Sequence, residues 1–269
     1  GVISHAMFDF GDGSKAKAAL MQGEENIKKY STSSRVRAFL GPHAPYTCSE
    51  ELLVRTKELA DRCGTGIHIH VAETKEEVRN SKKEKGLPPF EYLEKIGFLG
   101  PNVVAAHSTW TSDREIEIIK KRGVKVAHNP TCNMKLASGV ARVPEFLENG
   151  MKTCALVHKL CNRNPSLVPA EKVLEFATIN GAKALGMERE IGSIEVGKRA
   201  DVILVDLNKP HLTPLTNPVS HLVYATSGSD VDTVIVDGKV IMQDRQVKTL
   251  SEEKVLKLAN EQTYDLLEK

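Results

Sequence analysis

Ile67-His68-Ile69-His70-Val71-Ala72-Glu73-Thr74 decides how this chain folds. β-Branched residues favour a pleated, half-buried strand, and here Ile67, Ile69 and Val71 alternate with two histidines. Strand side chains change face at every residue, so the three aliphatic residues share one side and His68 and His70 share the other. Such a strand needs helices over its apolar face and a polar site over its imidazole face. A charged helical stretch follows from Lys75, and a second helix is expected near Phe90 to Ile96.

The flanking segments repeat this strand-then-helix rhythm. Val36 to Leu40 is a strand that ends at Gly41-Pro42-His43, with a helix from Ser49 through Leu59. Val103 to His107 is the next strand. Ser112 and Glu115 form a capping-box pattern that opens a helix stopping at Gly123. Val124 to His128 is another strand, closed by Asn129-Pro130, and Val2 to Met7 precedes them all. Five apolar strands, each followed by helical sequence, predict an α/β fold with a parallel sheet covered by helices.

The rhythm then changes. Residues 145–162 read as a helix interrupted at Asn149-Gly150, and Pro169 to Leu185 reads as another. From Gly192 the chain becomes turn and strand. Val231 to Met242 is a hairpin with Asp237-Gly238 as its turn, and Ser251 to Lys269 is an amphipathic helix. The expected organisation is a barrel portion over residues 1–191 and a small β-module with a terminal helix over 192–269.

Composition narrows the functional classes. A chain of 269 residues can hold one α/β barrel of about 250 residues. Its 37 basic and 35 acidic residues are interspersed and leave a net charge of only +2, which argues against a nucleic-acid or membrane surface. No stretch approaches the ~20 apolar residues of a membrane span, and no signal peptide opens the chain. Gly1 in place of a methionine reads as an absent or processed N-terminus. The five cysteines form no CxxC pair, so reduced thiols and a cytoplasmic location are expected.

Histidines carry the chemical signal. Parallel sheets place their sites at the carboxyl ends of strands, and His70, His107 and His128 each end a strand while His43 follows another. Four of nine histidines at one end of successive strands suit a borderline-soft divalent metal plus a proton-moving base. Glu73, three residues beyond His70, places a carboxylate in the loop above them, a natural general acid/base.

Taken together, Ile67 to Thr74, Leu40-Gly41-Pro42-His43-Ala44-Pro45-Tyr46, Ala105-Ala106-His107 and Ala127 to Gly139 resemble the amidohydrolase superfamily. Ala177-Thr178-Ile179-Asn180-Gly181-Ala182-Lys183-Ala184-Leu185-Gly186 and Gly197-Lys198-Arg199-Ala200-Asp201 continue the likeness. Within it, the match is to the 5-methylthioadenosine/S-adenosylhomocysteine deaminases and their chlorohydrolase relatives. The resemblance implies a (β/α)8 TIM-type barrel with a small β-sandwich module. It implies a hydrolase that converts an adenosine-type nucleoside to the inosine analogue plus ammonia, using one divalent metal ion, zinc or alternatively iron. By the same resemblance His70 is a metal ligand, Glu73 bonds the purine and shuttles a proton, His107 sits at the attacked carbon and His43 contacts the nucleoside. His128 is structural and His68 is packing. Homo-oligomers are common in the family. Two alternatives stay open: a chlorohydrolase, guanine or other cyclic-amidine hydrolase of the same fold, and a metal-free, non-catalytic scaffold subunit.

The chain also departs from that pattern. Members carry a His-x-His pair on the first barrel strand, and none precedes residue 68. They carry a metal-binding Asp after Gly-Thr on the last strand, where Glu148-Asn149-Gly150 here runs straight into Met151-Lys152-Thr153. A strand and loop of roughly twenty residues are therefore expected to be lacking at that junction, and more before Gly1; a real deletion is the rival reading. Five strands cannot close an eight-stranded barrel. Members that take S-adenosylhomocysteine hold its carboxylate with arginines, whereas His5 to Lys17 offers His5, Lys15 and Lys17. Lysine lacks the bidentate fork, which leaves methylthioadenosine, 5′-deoxyadenosine and adenosine as substrates.

Overall fold

The computed structural model describes residues 1–33, 35–141, 147–148 and 151–267. They fall into two compact units, Gly1–Glu188 and Arg189–Lys269. In the first, six parallel strands stand in chain order: β1 Val2–Met7, β2 Arg37–Pro42, β3 Ile67–Val71, β4 Val103–His107, β5 Lys125–His128 and β6 Leu147–Glu148. The connections carry α1 (Gly13–Tyr30), α2 (Glu50–Cys63), α3 (Lys75–Lys85), α4 (Pro89–Lys95), α5 (Asp113–Arg122) and α6 (Pro130–Lys135). After β6 come α7 (Met151–Cys161) and a helical run over residues 170–184 with a π-turn segment at Phe176–Asn180.

The alternation in β3 sorts as its sequence demands. Ile67, Ile69 and Val71 are fully buried against Leu52, Leu53 and Leu59 of α2 and Phe90 and Leu93 of α4. Burying each such side chain contributes roughly 1.5–3 kcal/mol. His68 and His70, on the opposite face, keep partial exposure. Register then fixes the rim, since Val71 pairs with His107 and Ala106 with Ala127. Parallel pairing thus leaves the ends of β3, β4 and β5 on one edge.

Two boundaries differ from expectation. β2 runs through Gly41-Pro42, two residues further than predicted, because Gly41 and Pro42 still pair with Ala6 and Met7 of β1. A Cβ at Gly41 would stand 2.6 Å from the His5 carbonyl oxygen, and the terminal Pro42 needs no ladder N–H. Within 145–162, expected as a helix interrupted at Asn149-Gly150, Leu147–Glu148 is a strand on the free edge of β5 and helix covers Met151–Cys161, while residues 145, 146, 149 and 150 lie outside the described residues. The edge of β5 offers unpaired backbone groups that an extended segment satisfies. The sheet accordingly has six strands, one more than the sequence pattern indicated.

The second unit holds one four-stranded antiparallel sheet among its described residues. Its order is β10 (Gln246–Val247), β9 (Lys239–Gln243), β8 (Val231–Val236) and β7 (Val202–Val205). Asp237 and Gly238 both take positive φ, 52° and 74°, as a type I′ hairpin turn requires. A helix covers Glu252–Leu267. Among the described residues no helix is long and apolar enough to cross a membrane.

Two buried polar features tie the first unit together. Ser112 and Glu115 form the predicted capping box of α5, and the second carboxylate oxygen of Glu115 accepts the Phe90 N–H at 3.1 Å, holding the start of α4. His128 at the end of β5 packs on His158 of α7, ring centroids 5.2 Å apart. Burial, reinforced by His158 and His107, pushes the His128 imidazole down to about 3.

Glu115→Ala removes the cap and strands a buried N–H, so a loss of about 3 kcal/mol is expected in urea unfolding; a loss below about 1 kcal/mol would refute the linking role. His128 has a folded pKa below its ordinary 6.5, so its contribution is present above pH 6.5 and lost as pH falls toward 3. Stability should decline there by up to about 1.4 kcal/mol per pH unit for one proton. His128→Gln should flatten that decline in thermal melts across pH, and an unchanged slope would count against it.

Candidate active site

The carboxyl edge of β2, β3 and β4 gathers His43, His68, His70, Glu73 and His107. Ring centroids of His43 and His70 lie 5.0 Å apart, those of His70 and His107 5.5 Å, and those of His68 and His70 6.0 Å. Glu73 Oε2 stands 3.7 Å from His107 Nε2. The cluster follows from the register: adjacent strands end at one level, and each strand end carries a histidine or leads directly to one.

Hydrogen bonds set which ring nitrogen faces the site. The His43 carbonyl oxygen accepts both the backbone N–H and the ring Nδ1–H of His70, at 2.9 and 2.8 Å. A carbonyl can only accept, so His70 carries its proton on Nδ1 and turns the Nε2 lone pair to the rim. His43 Nδ1 lies 3.0 Å from Thr47 Oγ1, whose own proton goes to the Ala44 carbonyl. His43 therefore donates from Nδ1 and also presents Nε2. Burial, with the neighbouring His70, lowers the pKa of both His43 and His68. These two rings are neutral at neutral pH, as a lone-pair donor must be.

The loops above the strands are bent and stitched. Ala72, His107 and Ser108 adopt positive φ of 54°, 73° and 50°, conformations costing about 1–3 kcal/mol each unless surroundings hold them. Glu77, only 8% exposed, supplies one hold. Its two carboxylate oxygens accept the N–H groups of Ala72 and Glu73, each at 2.8 Å. Burial outweighs those bonds and pushes the Glu77 carboxyl up to about 7. The Ala72 carbonyl in turn accepts from Thr109 and Trp110, both at 3.0 Å, and so joins the loops after β3 and β4. Beside Glu73 a cavity of about 360 Å³, lined by Tyr46, Glu77 and Ser81 among others, opens to solvent. That size suits a small-molecule ligand.

Asn133, Thr47 and Glu77 had no role in the sequence reading, because their partners lie in other loops. Asn133 sits 2.8 Å from His107 Nδ1. The nearest sequence signal was the run Ala127 to Gly139, which includes Asn133. His128 lies apart from the cluster, against His158. Of the cations expected near the site, Lys15 pairs with Asp12 at 3.9 Å, both exposed on α1.

His70 and His43 both turn an Nε2 lone pair to the site. Among the described residues no group of three or more His, Cys, Asp or Glu side chains could hold an ion. A zinc site needs three or four protein ligands, so the described residues do not make one. The Gly150–Met151 junction, where a ligand-bearing segment was expected, includes residues outside the described set.

Comparison with known proteins places the chain. The Amidohydrolase family profile matches residues 2–241. The 5′-deoxyadenosine deaminase of Methanosarcina acetivorans is 45% identical, over 98% of this chain and 66% of its own length. The 5-methylthioadenosine/S-adenosylhomocysteine deaminase of Thermococcus sibiricus is 45% identical over 89% of this chain and 62% of its own. In structure, an adenosine deaminase from Xanthomonas campestris with bound zinc superposes with a TM-score of 0.92 at 28% identity, covering all of this chain and 66% of that one. The chain thus spans about two thirds of the relatives it matches. The first match extends over 288 positions, of which 98% of a 269-residue chain supplies only about 264. The relative therefore carries about two dozen residues inside the matched region that are lacking here. With its parallel strands, its histidine rim and a profile match over most of its length, the chain belongs to the amidohydrolase family.

Proposed function

We propose that the protein carrying this chain is a hydrolytic deaminase of adenosine-type nucleosides. The observation that carries the reading is the Glu73–His107 pair, 3.7 Å apart on the rim beside the cavity. Deamination at C6 of adenine requires a proton delivered to a ring nitrogen and another moved from water to the departing amine. Glu73, held through its backbone by Glu77, is the group for the ring nitrogen. His107 is the group at the attacked carbon, and His43 meets the nucleoside from β2. The near relatives named as deaminases support the class of substrate.

The walls of the cavity favour an uncharged 5′ substituent. Glu73, Glu76, Glu77 and Glu84 line it against a single cation, Lys85, which lies over the Tyr92 ring; Lys15 pairs with Asp12, and no arginine is among the lining residues. 5′-Deoxyadenosine and methylthioadenosine fit this better than the carboxylate-bearing S-adenosylhomocysteine. One divalent ion, zinc ahead of iron, belongs to the reading for the whole protein, with His70 as the contribution of this chain. The five free cysteines support a reducing, cytoplasmic setting, and we read residues 1–191 as the barrel portion with 192–269 as the β-module.

Full-length protein given 5′-deoxyadenosine should lose adenine absorbance and release one ammonia per nucleoside. Glu73→Gln should lower kcat by about 10²–10⁴. Failure to deaminate any of 5′-deoxyadenosine, methylthioadenosine, S-adenosylhomocysteine and adenosine would remove the reading. The 269-residue chain alone should hold less than one zinc per chain after dialysis, measured by atomic emission. One tightly held equivalent would show that residues outside the described set complete the ligands.

A further inference from the structure

We infer that Asn133 is a positioning residue that fixes His107 in the Nδ1–H tautomer and so turns its Nε2 lone pair toward Glu73 and the substrate. The inference rests on the deaminase reading for its purpose and on the geometry alone for its substance. His107 is 4% exposed and Asn133 only 1%. Asn133 Oδ1 lies 2.8 Å from His107 Nδ1, across 26 residues of sequence. The structure turns Asn133 Nδ2 to Thr109 Oγ1 at 3.3 Å and Oδ1 to the ring, and an oxygen acceptor demands a proton on Nδ1. A hydroxyl both donates and accepts, so an Nε2–H pattern for His107 would mark the flipped amide.

Each neighbouring ring is also held by one acceptor: His70 by the His43 carbonyl, 27 residues away in sequence, and His43 by the Thr47 hydroxyl, four residues away. At His107, where a φ of 73° and the 50° of Ser108 turn the chain sharply at the end of β4, the partner is a buried amide. That amide stands on α6, the helix after β5. Asn133 N–H donates to the Asn129 carbonyl in the first turn of the helix, and the Asn133 carbonyl accepts from Ser138. A ring so held presents a lone pair to the site, whereas the opposite tautomer would present a proton, and the two cannot do the same chemistry at an attacking water.

The tautomer is read directly by long-range ¹H–¹⁵N correlation spectra of the ¹⁵N-histidine-labelled chain, under mildly alkaline conditions where an ordinary imidazole is neutral. His107 should give a single Nδ1–H pattern in the unmodified protein. Asn133→Ala should reduce its Nδ1–H to Nε2–H ratio by about tenfold, the size of one net buried hydrogen bond, while His43 and His70 keep theirs as internal controls of folding. Asn133→Asp, which keeps the acceptor oxygen, should restore the Nδ1–H form. An Nε2–H pattern for His107 in the unmodified protein, or a ratio unmoved by Asn133→Ala, overturns the inference. Should Asn133→Ala fail to fold, the unmodified protein and Asn133→Asp still decide it. Absence of nucleoside deamination by the full-length protein would sink the functional reading while leaving this measurement standing, so the two failures are separable.

Discussion

The carbonyl oxygen of His43 accepts two protons from one residue, the backbone N–H and the ring Nδ1–H of His70. That single acceptor joins the end of β2 to the end of β3 and orients the imidazole at the centre of the cluster. Much of the rim depends on it. With His70 fixed, His43 packs on one side and His107 on the other, and Glu73 follows three residues later beside His107. The underlying constraint is parallel pairing, which aligns strand ends at one level and lets neighbouring termini reach each other.

The loops above that rim use one device twice. Glu77 and Glu115 occupy the same early position in α3 and α5, and each buries a carboxylate that accepts backbone N–H groups from a bend before its own helix. Glu115 reaches further, to α4. A buried carboxylate is costly unless its oxygens are satisfied, so these residues hold loop conformations that the backbone would not choose alone. The positive φ values at Ala72, His107 and Ser108 fit this account, because strained residues persist where the surroundings over-determine them.

The site is chemically one-sided. Proton-handling groups and a ligand-sized cavity are assembled, while among the described residues no three His, Cys, Asp or Glu side chains come together to hold an ion. In the comparison with the Methanosarcina acetivorans deaminase, about two dozen residues within the matched region have no counterpart here. The chain belongs to the family by fold and sequence; its catalytic capacity is a matter of the whole protein.

Much of the fold was legible because it depends on local chemistry. The two-residue period of Ile67 to Val71, the Ser112–Glu115 cap, the Gly123 stop and the Asp237-Gly238 turn each follow from residues a few positions apart. The histidine rim was legible because register in a parallel sheet is regular enough to carry strand ends to one edge. The pairing of β6 was not, since a two-residue strand is defined by the free edge of β5 and not by its own composition. Nor were the roles of Thr47, Glu77 and Asn133, whose partners appear only once separate loops meet. By itself the sequence determined which residues stand at the rim; the tertiary structure alone decided which nitrogen each histidine presents, because a tautomer is chosen by the acceptor the fold brings to its other side.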